Sequence, residues 1–175
     1  MAESKLDTIK PDLNLAAVCG LFCQACSIYI GTMEDPRRLE AIAARWGLPA
    51  DQVHCEGCRS QRRFAYCQTC KMSACAREKG LDFCGACPDY PCPDLAKFQA
   101  EMPHRLELWS NQERIRQVGF EKWYEEMLDH YACPECRTIN STYDPVCRKC
   151  GASPGSEYVA RHGETIKTWL TRGKS

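Results

Sequence analysis

Apolar residues recur at helical spacing in several stretches of this chain. The clearest stripe is Phe120, Trp123, Tyr124, Met127, Leu128 and Tyr131, at i, i+3, i+4, i+7, i+8 and i+11, which predicts an amphipathic helix over 120–131. Gly119 marks its start and closes a weaker helix over 104–118. Earlier, Asp35-Pro36 supplies an N-cap and a proline at the first helical position. Leu39, Ile42, Ala43 and Trp46 then share a face, and Gly47 stands where the helix should stop. Asp94 to about Met102 is another helix, closed by Pro103. A last one begins near Ser156, with Tyr158, Val159, His162, Ile166, Trp169 and Leu170 on one side. These aromatics read as core packing. No long alternating strand is visible, and short hairpins inside the cysteine modules are the only β structure expected.

Composition changes this picture in one respect. The apolar set makes up 44% of 175 residues, yet 15 of those residues are cysteines, so conventional core material is thin. Metal sites or disulfides must then help hold the fold. The first residues, polar and charged through Lys5, Asp7, Lys10 and Asp12, carry no secretory pattern, and no apolar run suits a membrane span. A cytoplasmic location with reduced thiols follows, and the odd cysteine count also fits a disulfide framework poorly. Net charge is zero, but residues 55–80 carry a local +4 and residues 81–132 a local −5. The basic stretch reads as a solvated surface offsetting thiolate charge, with a nucleic-acid face as the alternative.

The cysteines fall in two blocks separated by 40 residues. In the second, Cys133-x2-Cys136 is followed after ten residues by Cys147-x2-Cys150-Gly151. Two CxxC pairs in series are a zinc-ribbon or rubredoxin-like pattern. A two-residue gap lets one turn present both sulfurs to one ion, and the second pair completes a tetrahedron. Gly151 suits a turn that needs positive φ. Rubredoxin-type iron would use the same ligands.

The first block opens with Cys19-x3-Cys23-x2-Cys26, and Cys55-x2-Cys58 follows after a 28-residue insertion. A unit then repeats with a period of 17: Cys67-x2-Cys70-x4-Cys75 and Cys84-x2-Cys87-x4-Cys92. The grouping favoured by spacing sets Cys23 and Cys26 with Cys55 and Cys58, and shares Cys19, Cys67, Cys70, Cys75, Cys84, Cys87 and Cys92 among the rest. His54 is a further candidate ligand, although a lone histidine is more often a packing or surface residue. Iron–sulfur binding is the main rival. The spacings match neither standard ferredoxin pattern, but Cys87 and Cys92 both precede a proline. No nucleophile motif, phosphate loop or HExxH is present, so the chain is not read as an enzyme of a familiar catalytic type.

Four segments carry a family resemblance: Cys19-Gly-Leu-Phe-Cys-Gln-Ala-Cys-Ser-Ile-Tyr29, Cys55-Glu-Gly-Cys-Arg-Ser60, Cys75-Ala-Arg-Glu-Lys-Gly80 and Cys84-Gly-Ala-Cys-Pro-Asp-Tyr-Pro-Cys92. Over about residues 18–100 the chain resembles a cysteine-rich bacterial and archaeal family of unknown function that is taken to bind zinc. The resemblance implies cysteine-bound metal and no particular activity.

The sequence therefore predicts a small, mainly α, metal-stabilised fold: a flexible tail over 1–14, a cysteine-rich helical metal-binding domain over 15–131, a zinc-ribbon module with short β-hairpins over 132–153, and a C-terminal helix over 154–175. All fifteen cysteines are candidate ligands, with three zinc ions expected per chain. The expected role is a protein- or nucleic-acid-interaction module, with a redox or metal-handling protein as the alternative and no membrane partner.

Overall fold

The computed structural model describes residues 5–172. It is mainly helical. The helices are α1 (Ser27–Met33), α2 (Pro36–Trp46), α3 (Ala65–Gln68), α4 (Lys71–Glu78), α5 (Pro93–Ala100), α6 (Leu108–Val118), α7 (Phe120–Tyr131) and α8 (Glu157–Arg172). Short 3-10 turns lie between them.

The capping signals act as expected. The Asp35 carboxylate accepts from the Arg38 N–H, Pro36 opens α2, and Gly47 closes it at φ 61°. The predicted face is only partly covered: Ala43 is buried, Leu39 and Ile42 pack beside it, but Trp46 is 49% exposed and leans edge-on against Phe64. The stripe of α7 is buried at Trp123, Tyr124, Met127, Leu128 and Tyr131. Three helices emerge where only cysteine loops were expected: the single turn α3, and α1 and α4, which start directly after Cys26 and Cys70.

The expected β-hairpins are absent among the described residues. Two isolated antiparallel bridges replace them, Ala16–Phe22 and Ala132–Ile139. Each loop closes over one rung, and side-chain hydrogen bonds take over before a strand can extend.

The main core is aromatic. Phe22 sits between helices: its ring stacks on Tyr131 at 5.7 Å and meets Tyr124 edge-on at 5.1 Å. Tyr131 in turn stacks on Tyr158 of α8 at 5.4 Å. Leu6 belongs to the same cluster, within the stretch expected to be a tail. A second cluster gathers Ala17, Val18, Cys19, Met72, Leu95 and Leu108, with Cys23, Cys58, Cys70, Cys84 and Cys92 packed against it.

Polar side chains hold the cysteine loops to α6. Gln112, fully buried, donates to the Val18 carbonyl at 3.0 Å and accepts from the Gly85 N–H at 2.7 Å. Asn111 donates to the Gly20 carbonyl at 3.0 Å. Gly85 has no side chain for a reason: a Cβ there would stand 2.7 Å from the Gln112 oxygen.

Candidate metal centre

The chain after α7 forms two turns of the same construction. In the first, the Cys133 N–H donates to Thr138 and the Cys133 carbonyl accepts from Arg137; in the second, the Cys147 N–H donates to Ala152 and its carbonyl accepts from Gly151. The fifth residue of each turn is left-handed, Arg137 at φ 59° and Gly151 at φ 77°. That conformation closes the loop tightly enough to aim both sulfurs inward. Glycine adopts it freely, whereas arginine does so at a cost. The need for positive φ at Gly151 was legible in the sequence; its counterpart was hidden behind an arginine.

The two turns bring Cys133, Cys136, Cys147 and Cys150 together, with all four sulfurs within 4.8 Å of one another. Cys133 and Cys150 stand 3.6 Å apart, and Cys136 and Cys147 stand 3.5 Å apart. A tetrahedral ion with sulfur at about 2.3 Å needs edges of roughly 3.8 Å, so the quartet is already shaped for one ion. All fifteen cysteines are free thiols.

The surroundings favour thiolate at one ligand in particular. Burial works against ionising Cys147. The amides of Cys150 and Lys149, the Asn140 side chain and Cys136 outweigh it and pull the thiol down to about 6. The Lys149 N–H reaches that sulfur at 3.4 Å. Thr138 holds Cys136 below the usual thiol range. Cys150, although its sulfur receives the Ala152 amide, is pushed up to about 12, chiefly by its cysteine neighbours.

Asn140 is the residue that sequence reasoning missed. It is fully buried between the two turns. Its amide donates to the carbonyls of Thr138 at 3.0 Å and Gly155 at 2.7 Å, and its oxygen accepts from the Arg148 N–H at 3.0 Å. Arg148 donates onward to the Ile139 carbonyl at 2.9 Å and pairs with Glu34 beyond α1. Arg38 of α2 forks onto Asp144 at 3.0 and 3.1 Å. The quartet is thus bolted to the N-terminal helices through charged pairs.

The eleven N-terminal cysteines are gathered but spaced differently. Among the described residues, no three of them lie within 4.8 Å of one another, and this includes the set Cys23, Cys26, Cys55 and Cys58. Six of them nonetheless share one apolar cluster, Cys19 within it and Cys23, Cys58, Cys70, Cys84 and Cys92 packed against it. Burial pushes the Cys19 thiol well up, and Cys58, Cys84 and Cys70 add to it. Burial likewise raises Cys23, with Cys58, Cys26 and Cys55 contributing, and raises Cys67, with Cys26 and Cys55 contributing. Burial, then Cys92, Cys75, Cys70 and Cys87, push Cys84 up to about 12. Cys26, Cys70 and Cys92 each sit at the N-cap of a helix, where a thiolate meets the positive end of the backbone dipoles. Cys87 receives the Lys79 ammonium at 3.3 Å, and Cys75 is exposed. Cys55 is buried beside Val53 and Phe64. His54 is engaged by Glu56 at 3.0 Å.

No helix among the described residues is long and apolar enough to cross a membrane. No curated protein and no solved structure matches the chain. Residues 15–97, the segment carrying those eleven cysteines, match the model of a family described as a protein of unknown function, DUF3795.

Proposed function

We propose that this is a metal–thiolate protein in which Cys133, Cys136, Cys147 and Cys150 hold one structural zinc ion, and in which Cys19, Cys23, Cys26, Cys55, Cys58, Cys67, Cys70, Cys75, Cys84, Cys87 and Cys92 supply further metal ligands. The observation that carries the reading is the C-terminal quartet, whose sulfurs stand 3.5 and 3.6 Å apart across two matching turns. Four thiolates and no open position make a closed site, which suits a structural ion rather than a catalytic one. The ion would fix the segment between α7 and α8, because the two turns have little apolar material of their own.

The role that follows is a scaffold: metal holds irregular loops against a helical core and presents their outer surface to a protein or nucleic acid. Arg59 does not belong to that surface, because it donates to the carbonyls of Ala16 and Asp82 and lies over the Phe83 ring. Arg62, Lys71, Arg77 and Lys79 are exposed and remain candidates.

Elemental analysis of anaerobically purified full-length protein tests the reading. Zinc bound at one or more per chain, with one equivalent lost in Cys147→Ser, is the expected result. Metal content below one per chain after purification with zinc supplied would sink it. For the interaction role, reversing Arg62, Lys71, Arg77 and Lys79 should abolish pull-down of any nucleic acid or protein that the native chain retains.

A further inference from the structure

Away from the quartet, the apolar groove of Tyr90, Pro91, Pro93, Ala96 and Trp109 has nothing to say what fills it. The carboxylate of Glu107, held by His130 at 2.7 Å and His162 at 2.8 Å, joins α6, α7 and α8 as an internal ion pair. A third cluster, at the end of α4, sets an amine directly on a thiol.

Lys79 is the residue that closes α4. Its N–H donates to the Cys75 carbonyl at 3.0 Å, and the Leu81 N–H returns to the Ala76 carbonyl at 2.8 Å, with Gly80 between them at φ 64°. These bonds fix where the lysine stem leaves the helix. Cys87 closes the 3-10 turn Cys84–Ala86, its N–H donating to the Cys84 carbonyl at 3.0 Å. That turn is pinned in its own right: the Cys84 N–H donates to Val18 at 2.8 Å and the Gly85 N–H to Gln112 at 2.7 Å. Both backbones are therefore set by bonds that do not involve the two side chains.

The side chains meet as a triangle. The Lys79 Nζ lies 3.3 Å from the Cys87 Sγ and 2.7 Å from the Asp89 Oδ2, and that oxygen lies 3.9 Å from the same sulfur. Among the described residues, no second thiol is hydrogen-bonded to Cys87. The sulfur is half-buried, open to a molecule the size of a peroxide. The lysine and aspartate side chains are 39% and 71% exposed, and an ion pair that exposed adds little to stability. Its consequence is positional: the carboxylate keeps a nitrogen nucleophile against the sulfur.

A cysteine oxidised to sulfenic acid is captured by whichever nucleophile touches it, a thiol giving a disulfide and a nitrogen giving a sulfenamide. We propose that Cys87 and Lys79 are an oxidative modification site, at which peroxide joins the Cys87 sulfur to the Lys79 nitrogen and staples the end of α4 to the Cys84–Cys92 loop. In the first step the thiol and hydrogen peroxide give Cys–SOH and one water, sulfur losing the two electrons that the peroxide gains. The Lys79 ammonium then gives one proton to water by way of Asp89. The nitrogen lone pair attacks the sulfur, the S–N bond forms as the S–O bond breaks, and the hydroxide leaves as water with the second amine proton. Excess thiol reverses the link: one thiol attacks the sulfur and frees the amine, and a second restores Cys87 and departs with the first as a disulfide. The inference goes beyond the metal–thiolate reading and does not need it, since at any moment Cys87 is either a ligand or part of the link.

The full-length chain, as purified and after chelation, is treated with hydrogen peroxide, alkylated, digested without reductant and sequenced by tandem mass spectrometry. The expected product is a linked species about 2 Da lighter than its two parts, with the bond located between Lys79 and Cys87 and lost on dithiothreitol treatment. Lys79→Arg keeps the charge beside Asp89 but has no amine to react, so it should yield no link and let Cys87 run on to sulfinic acid. The native chain is read on its own, so the test stands even where the variant folds poorly. A disulfide from Cys87 to another cysteine with Lys79 unmodified overturns the proposal. So does sulfinic acid at Cys87 formed as fast in the native chain as in Lys79→Arg. A Cys87 that stays unreacted in both the purified and the chelated chain overturns it as well. Metal content is measured alongside, and its loss or retention decides the metal–thiolate reading separately.

Discussion

Replacing Asn140 by leucine removes three hydrogen bonds without emptying the space. The Arg148 N–H, 3.0 Å from the lost oxygen, then has no acceptor, and the carbonyls of Thr138 and Gly155 lose donors at 3.0 and 2.7 Å. A buried group left unpaired costs about 1–3 kcal/mol. The amide is the worst case, since each carbonyl keeps a second lone pair for water or a neighbour. About 3–5 kcal/mol in total is expected, a large share of the roughly 5–15 kcal/mol that holds an ordinary domain together. The same change withdraws one of the groups that lower the Cys147 thiol. Zinc affinity should therefore fall by about 10–100-fold, the usual penalty for losing a partner of a metal ligand. Urea unfolding of the zinc-loaded chain reads the first effect and chelator competition the second. Asn140→Asp separates the causes: it keeps the acceptor for Arg148 but loses both donations and adds negative charge beside four thiolates. If Asn140→Leu unfolds within about 0.5 kcal/mol of the native chain and holds zinc as tightly, Asn140 does not organise the site and the reasoning fails.

Other substitutions probe single terms. Gly151→Ala meets no atom within 4 Å but must hold φ 77°, so it should cost about 1–2 kcal/mol in urea melts from backbone conformation alone. Gly85→Ala keeps an ordinary φ but drives its Cβ to 2.7 Å from the buried Gln112 oxygen, so it should destabilise by clash and broaden the amide spectrum around α6. Glu107 resists ionisation through its burial, but His130 at 2.7 Å and the hydrogen bond with His162 outweigh this and hold its carboxyl below the ordinary glutamate range. A lowered carboxyl stabilises the fold above its unfolded pKa and loses that contribution as pH falls through the folded value. Glu107→Gln should therefore be less stable than the native chain at pH 7, with the gap closing below about pH 4.5. Equal stability at neutral pH would refute the linkage. Stripping the C-terminal ion with a strong chelator should expose residues 132–156 to protease before α7, and a cleavage pattern indifferent to metal would count against a structural ion.

How much of this was readable in the chain depended on how local each signal was. The α7 stripe and the Asp35-Pro36/Gly47 caps are contained in a dozen residues each, and both helices form at those bounds. The CxxC pairs at 133–150 were legible because each ligand turn is local. Helices α1 and α4 were not, because they are 7 and 8 residues long and begin after cysteines rather than serine, threonine or aspartate. The packing of the N-terminal cysteines was hidden for the opposite reason: Cys19, Cys58, Cys70 and Cys84 reach one apolar cluster from segments far apart in the chain, which no spacing rule encodes. Asn140 and Gln112 looked like ordinary polar residues, because only the folded chain shows that each is wholly enclosed by backbone carbonyls and amides.

Phe22 carries a consequence for how far this cysteine segment can stand alone. It lies inside residues 15–97, yet its ring is covered by Trp123, Tyr124 and Tyr131, all beyond them. The carbonyl of Val18 and the amide of Gly85 likewise find their partner in Gln112. A chain cut at residue 97 would leave an aromatic socket open to water and two backbone groups unpaired. Such a fragment would lose the helical wall against which its cysteine loops are set.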